Sequence, residues 1–371
     1  MSCALIRVSA LIVCLLSVSP LARAFAAEQA PLDLSKPFML IQTTDPDQLA
    51  AVLEQASAAG YHVVGVSSAP GKERVLWYSG GMAVLLEKSS DPGAAHAYRV
   101  VRMPPGGLPP KRFHEVLDGP GAEGFRFVPA LAIPKESFGR IPRIGMQSQV
   151  CLLDRAPSET RRFTYRVGLE LGAKAMYKHI AEGEAAGFKV AAMLALPGYL
   201  TLIMERDSAD VSAPVSPVPQ DRYLYLDTVS DGTLRDRVRK AAAEGYRVKD
   251  ASRHSLRGGA RSVLLEKVAS LEAPYSYEFV DGQEAAAVDS AMNEAGSRGY
   301  RLHPRAMALG LLMLEKAPGA PTAYSYRFLT PDSAAELESG LAKAAGDGYS
   351  VAGMENPGTV VLEKPGAPAG R

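Results

Sequence analysis

Cysteine is nearly missing from this chain: three residues in 371, of which Cys3 and Cys14 lie in the N-terminal segment and Cys151 alone lies beyond it. A mature chain with one thiol cannot form an intramolecular disulfide, so packed cores must supply its stability. An excess of one charge is missing too. Lys and Arg number 41 against 40 acidic residues, and this balance supplies no electrostatic pull toward nucleic acid or acidic lipid. Beyond the N-terminus no stretch has the length and apolar purity of a transmembrane helix. There is no Walker loop, Gly-x-Ser-x-Gly elbow or dinucleotide fingerprint, and Gly106-Gly107 and Gly258-Gly259 read as turn signals.

What is present begins with Arg7 followed by the apolar run Val8 to Val18, too short to span a bilayer comfortably. Small residues follow at Ala22, Ala24 and Ala26, so residues 1–26 read as a secretory signal peptide cleaved after 24 or 26. Val13 before Cys14 is too bulky for a lipoprotein signal. The expectation is free export of a bacterial-type protein to a periplasmic or extracellular location. Losing Arg7 and Arg23 leaves 39 basic residues against 40 acidic ones.

One pattern then recurs six times: an aromatic-marked strand, a helical stretch, a Gly-aromatic pair, a strand, and an apolar strand ending in an acid-base pair. The Gly-aromatic pairs are Gly60-Tyr61, Gly124-Phe125, Gly187-Phe188, Gly245-Tyr246, Gly299-Tyr300 and Gly348-Tyr349. The closing pairs are Glu87-Lys88, Asp154-Arg155, Glu205-Arg206, Glu266-Lys267, Glu315-Lys316 and Glu363-Lys364. Phe38, Tyr98, Tyr165, Tyr223, Tyr275 and Tyr324 mark the opening strands.

In the first copy Asp45 and Pro46 form a helix start, with Leu49, Val52, Leu53 and Ala56 on one face; in the last copy Thr330 and Pro331 are read the same way, with Leu337, Leu341 and Ala344 inside. Each glycine suits a left-handed helix end, with the following aromatic packing back on the last turn. The closing strands, such as Val263-Leu-Leu265, are apolar without alternation and so belong in the middle of a sheet. With a right-handed crossover the fold class is α+β: six tandem β-α-β-β repeats, each a three-stranded antiparallel sheet of order 1-3-2 with one helix. Each unit is marginal alone, so the repeats should pair with one another.

The repeats are placed at 36–89, 96–156, 162–207, 222–268, 274–317 and 323–365, with a disordered tail at 366–371. A Pro-rich linker at 208–221 is expected to divide them into two pseudo-dimeric halves. Repeat 2 is the most divergent: Gly119-Pro120-Gly121 should cut its helix short, and Pro104 to Pro110 and Pro134 to Gln147 form long loops. Insertions of this kind are where copy-specific function is most at home, although plain drift in a tolerant loop is the favoured reading of them.

The repeats resemble a family of very short bacterial β-α-β-β proteins catalogued as a domain of unknown function, on the strength of Tyr324-Ser-Tyr-Arg-Phe328, Gly348-Tyr-Ser-Val351 and Val360-Val-Leu-Glu-Lys364. That family carries Gly-Trp where this chain has Gly-Tyr or Gly-Phe. The match is best in repeats 4 to 6 and poorest in repeat 2. The resemblance implies a fold and supplies no activity.

Chemistry is hard to find. His62, His96, His114, His179, His254 and His303 occupy different places in their repeats and form no metal-ligand spacing. Cys151 falls at the position of Val84, Leu202, Val263, Leu312 and Val360, which makes it a small hydrophobe. Neighbouring strand residues face opposite ways, so the closing acid-base pairs cannot act together and read as solubilising residues at a strand exit. Arg235, Arg237, Arg239, Lys240, Arg253, Arg257 and Arg261 are interleaved with acids and read as a solvated face. No catalytic, cofactor-binding or metal-binding residue is assigned, and no cofactor. The expected function is non-enzymatic binding of an envelope protein partner, or scaffolding; the alternative is a small-ligand binder or envelope enzyme using a groove between repeats.

Overall fold

The computed structural model describes residues 32–69, 81–89, 91, 95–102, 110–133, 150–170, 172–196, 199–209, 221–228, 230–253, 261–268, 274–280, 285–306, 311–319, 323–331, 333–356 and 359–366. The expected signal peptide, most of the Pro-rich linker, the two long loops of repeat 2, His254 and Arg257 lie outside these residues. Residues 36–371 form one compact unit.

Six copies of one unit follow in order. Repeat 1 is β1 (Phe38–Thr43), α1 (Pro46–Ala58), β2 (Tyr61–Ala69) and β3 (Gly81–Lys88). Repeat 2 is β4 (Ala97–Arg102), α2 (Pro110–Ala122), β5 (Arg126–Ile133) and β6 (Val150–Arg155); repeat 3 is β7 (Phe163–Glu170), α3 (Ala173–Ala185), β8 (Lys189–Leu196) and β9 (Tyr199–Asp207). Repeat 4 is β10 (Tyr223–Thr228), α4 (Asp231–Ala243), β11 (Tyr246–Arg253) and β12 (Arg261–Lys267). Repeat 5 is β13 (Ser276–Val280), α5 (Ala285–Ser297), β14 (Arg301–Leu302) and β15 (Leu312–Lys316); repeat 6 is β16 (Tyr324–Leu329), α6 (Ala334–Gly346), β17 (Ser350–Asn356) and β18 (Thr359–Pro365). Each sheet is antiparallel with its closing strand in the middle, the 1-3-2 order expected. Val84, Leu85 and Leu86 of β3 are all buried, as are Val263, Leu264 and Leu265 of β12, because a central strand is covered on both faces.

All six helices have 13 residues, and the glycines that end them take φ between 81° and 91°. In repeat 3 the Phe188 N–H reaches back to the Gly183 carbonyl and the Gly187 N–H to that of Glu184, at 2.9 Å each, which is the Schellman pattern. Asp45 caps α1 as expected, accepting from the Asp47 N–H at 2.9 Å. Two readings need correction. Helix α6 is capped by Ser333, not Thr330: its hydroxyl accepts from the Glu336 N–H, and Ser-x-x-Glu is the better start signal. Helix α2 runs through Gly119-Pro120-Gly121 to Ala122. Gly119 has no Cβ to strike the proline ring, so the residue before Pro120 can stay helical. A methyl group at Gly121 would overlap the Phe163 carbonyl of the next repeat, so glycine here allows two backbones to touch.

The expected halves do not separate, because the repeats form a closed cycle. The helix of each repeat packs against the opening strand of the next, and α6 of repeat 6 packs against β1 of repeat 1. Buried clusters cross the joints: Phe163 and Tyr165 join repeat 2, Tyr223 and Leu264 join repeat 3, and Phe38 and Leu85 join Leu337, Met354 and Leu362 of repeat 6. The joints come in two spacings: α1, α2 and α5 sit close on the next strand, whereas α3, α4 and α6 stand further off. The second strands β2, β5, β8 and β11 adjoin in sequence, and β17 adjoins β2. These strands carry bulges, at Val63/Gly65, Phe127/Ala132, Val190/Ala192 and Val248/Asp250, which bend them away from ladder pairing.

Candidate functional site

The repeated polar markers come first, because the structure assigns each of them a place. In every repeat the basic member of the closing pair lies over the ring of the Gly-aromatic pair. Lys88 stands 5.6 Å from the Tyr61 centroid, Arg155 4.6 Å from Phe125, Arg206 4.8 Å from Phe188, Lys267 5.6 Å from Tyr246, Lys316 5.8 Å from Tyr300 and Lys364 5.8 Å from Tyr349. In repeats 3, 5 and 6 the acidic member serves the joint with the preceding repeat. Glu205 takes the Arg126 guanidinium from repeat 2, with Nε at 3.0 Å; Glu315 takes Arg247 from repeat 4 at 2.8 Å; Glu363 takes Arg301 from repeat 5, with Nε at 3.0 Å. The same guanidiniums lie 5.8, 4.7 and 5.8 Å from the rings of Phe163, Tyr275 and Tyr324. These acids are 12, 11 and 7% exposed, so the reading of the closing pairs as solubilising residues is corrected.

Tyrosines complete the joints. The hydroxyls of Tyr98, Tyr165, Tyr277 and Tyr326 accept from the backbone N–H of Val63, Phe127, Val248 and Leu302 in the preceding repeat, at 2.8 to 2.9 Å. Burial raises the ionisation of all four well above the ordinary tyrosine range, so they stay neutral hydroxyls. Phe38 holds this position in repeat 1 and Ser350 holds the arginine position in repeat 6. The joint that closes the cycle is therefore apolar, with Lys36 paired to Glu338 at 2.6 Å beside it.

The polar groups that do not repeat gather around repeat 4. Asp250 on β11 is 1% exposed and Arg305, in the short turn after β14, is 8% exposed. The Arg305 Nε binds Asp250 Oδ1, its Nη1 donates to the Pro129 carbonyl of repeat 2 at 2.5 Å, and its Nη2 donates to the Ala251 carbonyl at 3.3 Å. The other Asp250 oxygen accepts from the Met193 N–H of repeat 3 at 2.5 Å. One buried ion pair thus ties repeats 2, 3, 4 and 5 together, and β14 is only two residues long where Arg305 enters. The joint between repeats 3 and 4 holds a second group. Glu184, 3% exposed, meets the Tyr223 hydroxyl and the Arg222 guanidinium at 3.0 Å each; the Tyr223 hydroxyl lies 3.3 Å from Glu266, which also takes Arg222 at 2.8 Å and Lys249 at 3.5 Å. Burial raises Glu184 despite Arg222 and Tyr223, whereas on Glu266 the burial is outweighed by Arg222 and Lys249, which hold it below its ordinary value.

No family model, curated protein or solved structure matches the chain.

The residues singled out from sequence are scattered by the fold. His96 Nδ1 meets Asp154 at 2.8 Å, His62 lies 3.8 Å from Glu87, and His114 bridges to the Tyr165 carbonyl at 2.8 Å. Burial pushes His179 down to about 4, with Arg166 adding to the effect, and burial lowers His303, which accepts from the Arg305 N–H at 3.1 Å. Among the described residues no three His, Cys, Asp or Glu side chains form a metal-binding group. Cys151 is fully buried and its thiol is pushed up to about 12, as befits a core hydrophobe. The arginines of repeat 4 disperse: Arg261 pairs with Asp231, Arg235 and Arg239 flank the Phe279 ring, and Arg237 lines a cleft of about 310 Å³ with Gly172, Ala173, Tyr225 and Asp227. Sequence reading missed Asp250, Arg305 and Glu184. The only signal was their failure to repeat, and a pattern search discards that signal.

Proposed function

We propose that the protein is a non-enzymatic binding scaffold of the bacterial cell envelope, reached by export of the chain, and that it engages a protein partner through copy-specific connections at one end of its sheets. The observation that carries this reading is the division of labour along each strand. The recurring Gly-aromatic, acid-base and tyrosine positions are taken up in cation–π lids and joints. At the opposite strand ends, where the second strand of each unit leads to the third, the copies differ: 70–80 and 134–149 intervene in repeats 1 and 2, but only 197–198 and 357–358 in repeats 3 and 6. A closed cycle sets the described strand ends that flank these connections around one ring, which suits additive recognition over a surface.

The test is capture from native envelopes with the full mature chain and with variants in which 70–80 or 134–149 is replaced by the Pro-Gly of repeats 3 and 6. A defined protein retained by the mature chain and lost from one variant supports the reading. Retention of a small molecule with no protein overturns it in favour of a ligand binder, a second reading favoured by the cleft beside Tyr225 and Asp227.

A further inference from the structure

The cleft between repeats 3 and 4 is bordered by two opposite charges that do not meet. Its walls are the start of α3 at Gly172 and Ala173, the end of β10 at Tyr225 and Asp227, and Arg237 from the middle of α4. It exists because α3 stands off from β10. The Tyr177 hydroxyl reaches across to accept from the Tyr225 N–H at 2.8 Å, which ties the strand to the second turn of the helix and leaves the first turn apart from it. A side chain begun at Gly172 would meet nothing within 4 Å, so the space beside the helix start is open.

Arg237 is exposed, and among the described residues it makes no hydrogen bond, ion pair or ring contact. Three and four residues away along α4 are Thr233, Leu234, Lys240 and Ala241, none of them acidic, so the helix supplies it with no partner. Asp227 is half-buried and is held in place by a buried hydroxyl pair. The Ser262 hydroxyl donates to Asp227 Oδ1 at 3.3 Å and lies 2.9 Å from the Tyr225 hydroxyl. A carboxylate has room for about four hydrogen bonds, so this support does not exhaust it. The combination belongs to repeat 4 alone. At the equivalent strand and helix positions repeat 5 has Asp281 with Ala291 and repeat 2 has Arg102 with Val116, while repeats 1, 3 and 6 have no acid on the strand.

We propose that this cleft binds a small zwitterion, a free amino acid or a short peptide, with its ammonium group on Asp227 and its carboxylate on the Arg237 guanidinium. A carboxylate can take two parallel N–H groups from a guanidinium. An anion alone would be repelled by Asp227 and a cation alone by Arg237, so only a ligand with both charges gains from both walls. Ligand sites begin at about 300 Å³, and a cleft of about 310 Å³ therefore suits a molecule of one or two residues. The proposal rests on the ligand-binding reading of this cleft. It is independent of the protein partner, because replacing 70–80 or 134–149 leaves Asp227 and Arg237 in place.

The test follows the Ala173 amide and the Arg237 Nε–H of the protein by NMR while glycine, glycylglycine, sodium acetate or methylammonium chloride is added at constant ionic strength. A zwitterion should shift both resonances to saturation at millimolar concentration, and acetate and methylammonium should not. Tighter binding of glycylglycine assigns the cleft to peptides; equal or tighter binding of glycine assigns it to free amino acids. Arg237→Gln and Asp227→Asn should each weaken the Ala173 response about tenfold. The first should leave the melting temperature unchanged, since Arg237 holds nothing else, and the second keeps an oxygen for Ser262. No saturable shift from either zwitterion overturns the proposal, as does an Arg237→Gln variant that binds as tightly as the unaltered protein. Acetate or methylammonium answering as strongly as glycine overturns the zwitterion while leaving the cleft a binding site.

Discussion

A tyrosine hydroxyl does more in this protein than a phenyl ring of the same size could, and the cycle contains its own control. Tyr326 accepts from the Leu302 N–H at 2.9 Å and donates to the Tyr300 carbonyl at 3.1 Å, whereas Phe38 stands at the same position in repeat 1. Tyr326→Phe should therefore fold and should lose about 1 kcal/mol, the net value of a buried hydrogen bond, read as a lower denaturant midpoint with unchanged slope. Histidine sets the acid limit. His179 and His303 have folded values below the ordinary 6.5, so between 6.5 and the folded value the unfolded chain binds protons that the folded chain refuses. Stability is full above 6.5 and falls as the pH drops toward 4. Melting temperatures at pH 7.5, 5.5 and 4.5 should decline in that order, and His179→Gln should flatten part of the decline. Asp250 and Arg305 could not be foreseen at this scale, because a buried pair shows itself only when four repeats are assembled around it.

At the scale of the element the sequence was nearly sufficient. Apolar spacing marked Leu49, Val52, Leu53 and Ala56 as the inner face of α1, and all four are buried. The six glycines announced left-handed helix ends, and each has positive φ. The sequence misled where a residue answers to a neighbouring repeat. Gly121 looked like a helix breaker but is a contact point for the next backbone. Gly296 is its counterpart, pressed on the Tyr324 carbonyl, whereas Gly346 in α6 has open space around it. Gly296→Ala should cost about 1–3 kcal/mol by overpacking, and Gly346→Ala should add about 0.5–1 kcal/mol by raising helix propensity. Thermal unfolding of the two variants separates these effects, and opposite signs are the expected outcome.

For the whole molecule, the chain order of the repeats was legible and their closure was not, since the contact between repeats 6 and 1 joins residues some 300 positions apart, as Lys36 and Glu338 show. The Pro-rich linker suggested two halves because composition reports where backbone is unpatterned and says nothing of what packs across the gap. Glu184, Tyr223, Arg222 and Tyr177 bind repeat 3 to repeat 4 with that linker left aside. Cutting the chain between residues 210 and 220 should therefore leave both fragments in one particle, eluting together on size exclusion until denaturant is added. Closure has a further consequence. A stack of repeats with two free ends can gain or lose a copy by duplication or deletion and still bury every remaining face. A cycle cannot, because the turn at each joint must sum to one full revolution, so one copy more or fewer would require every other joint to change its angle. The copy number of this protein is a geometric constant, and its evolution is confined to what each copy carries.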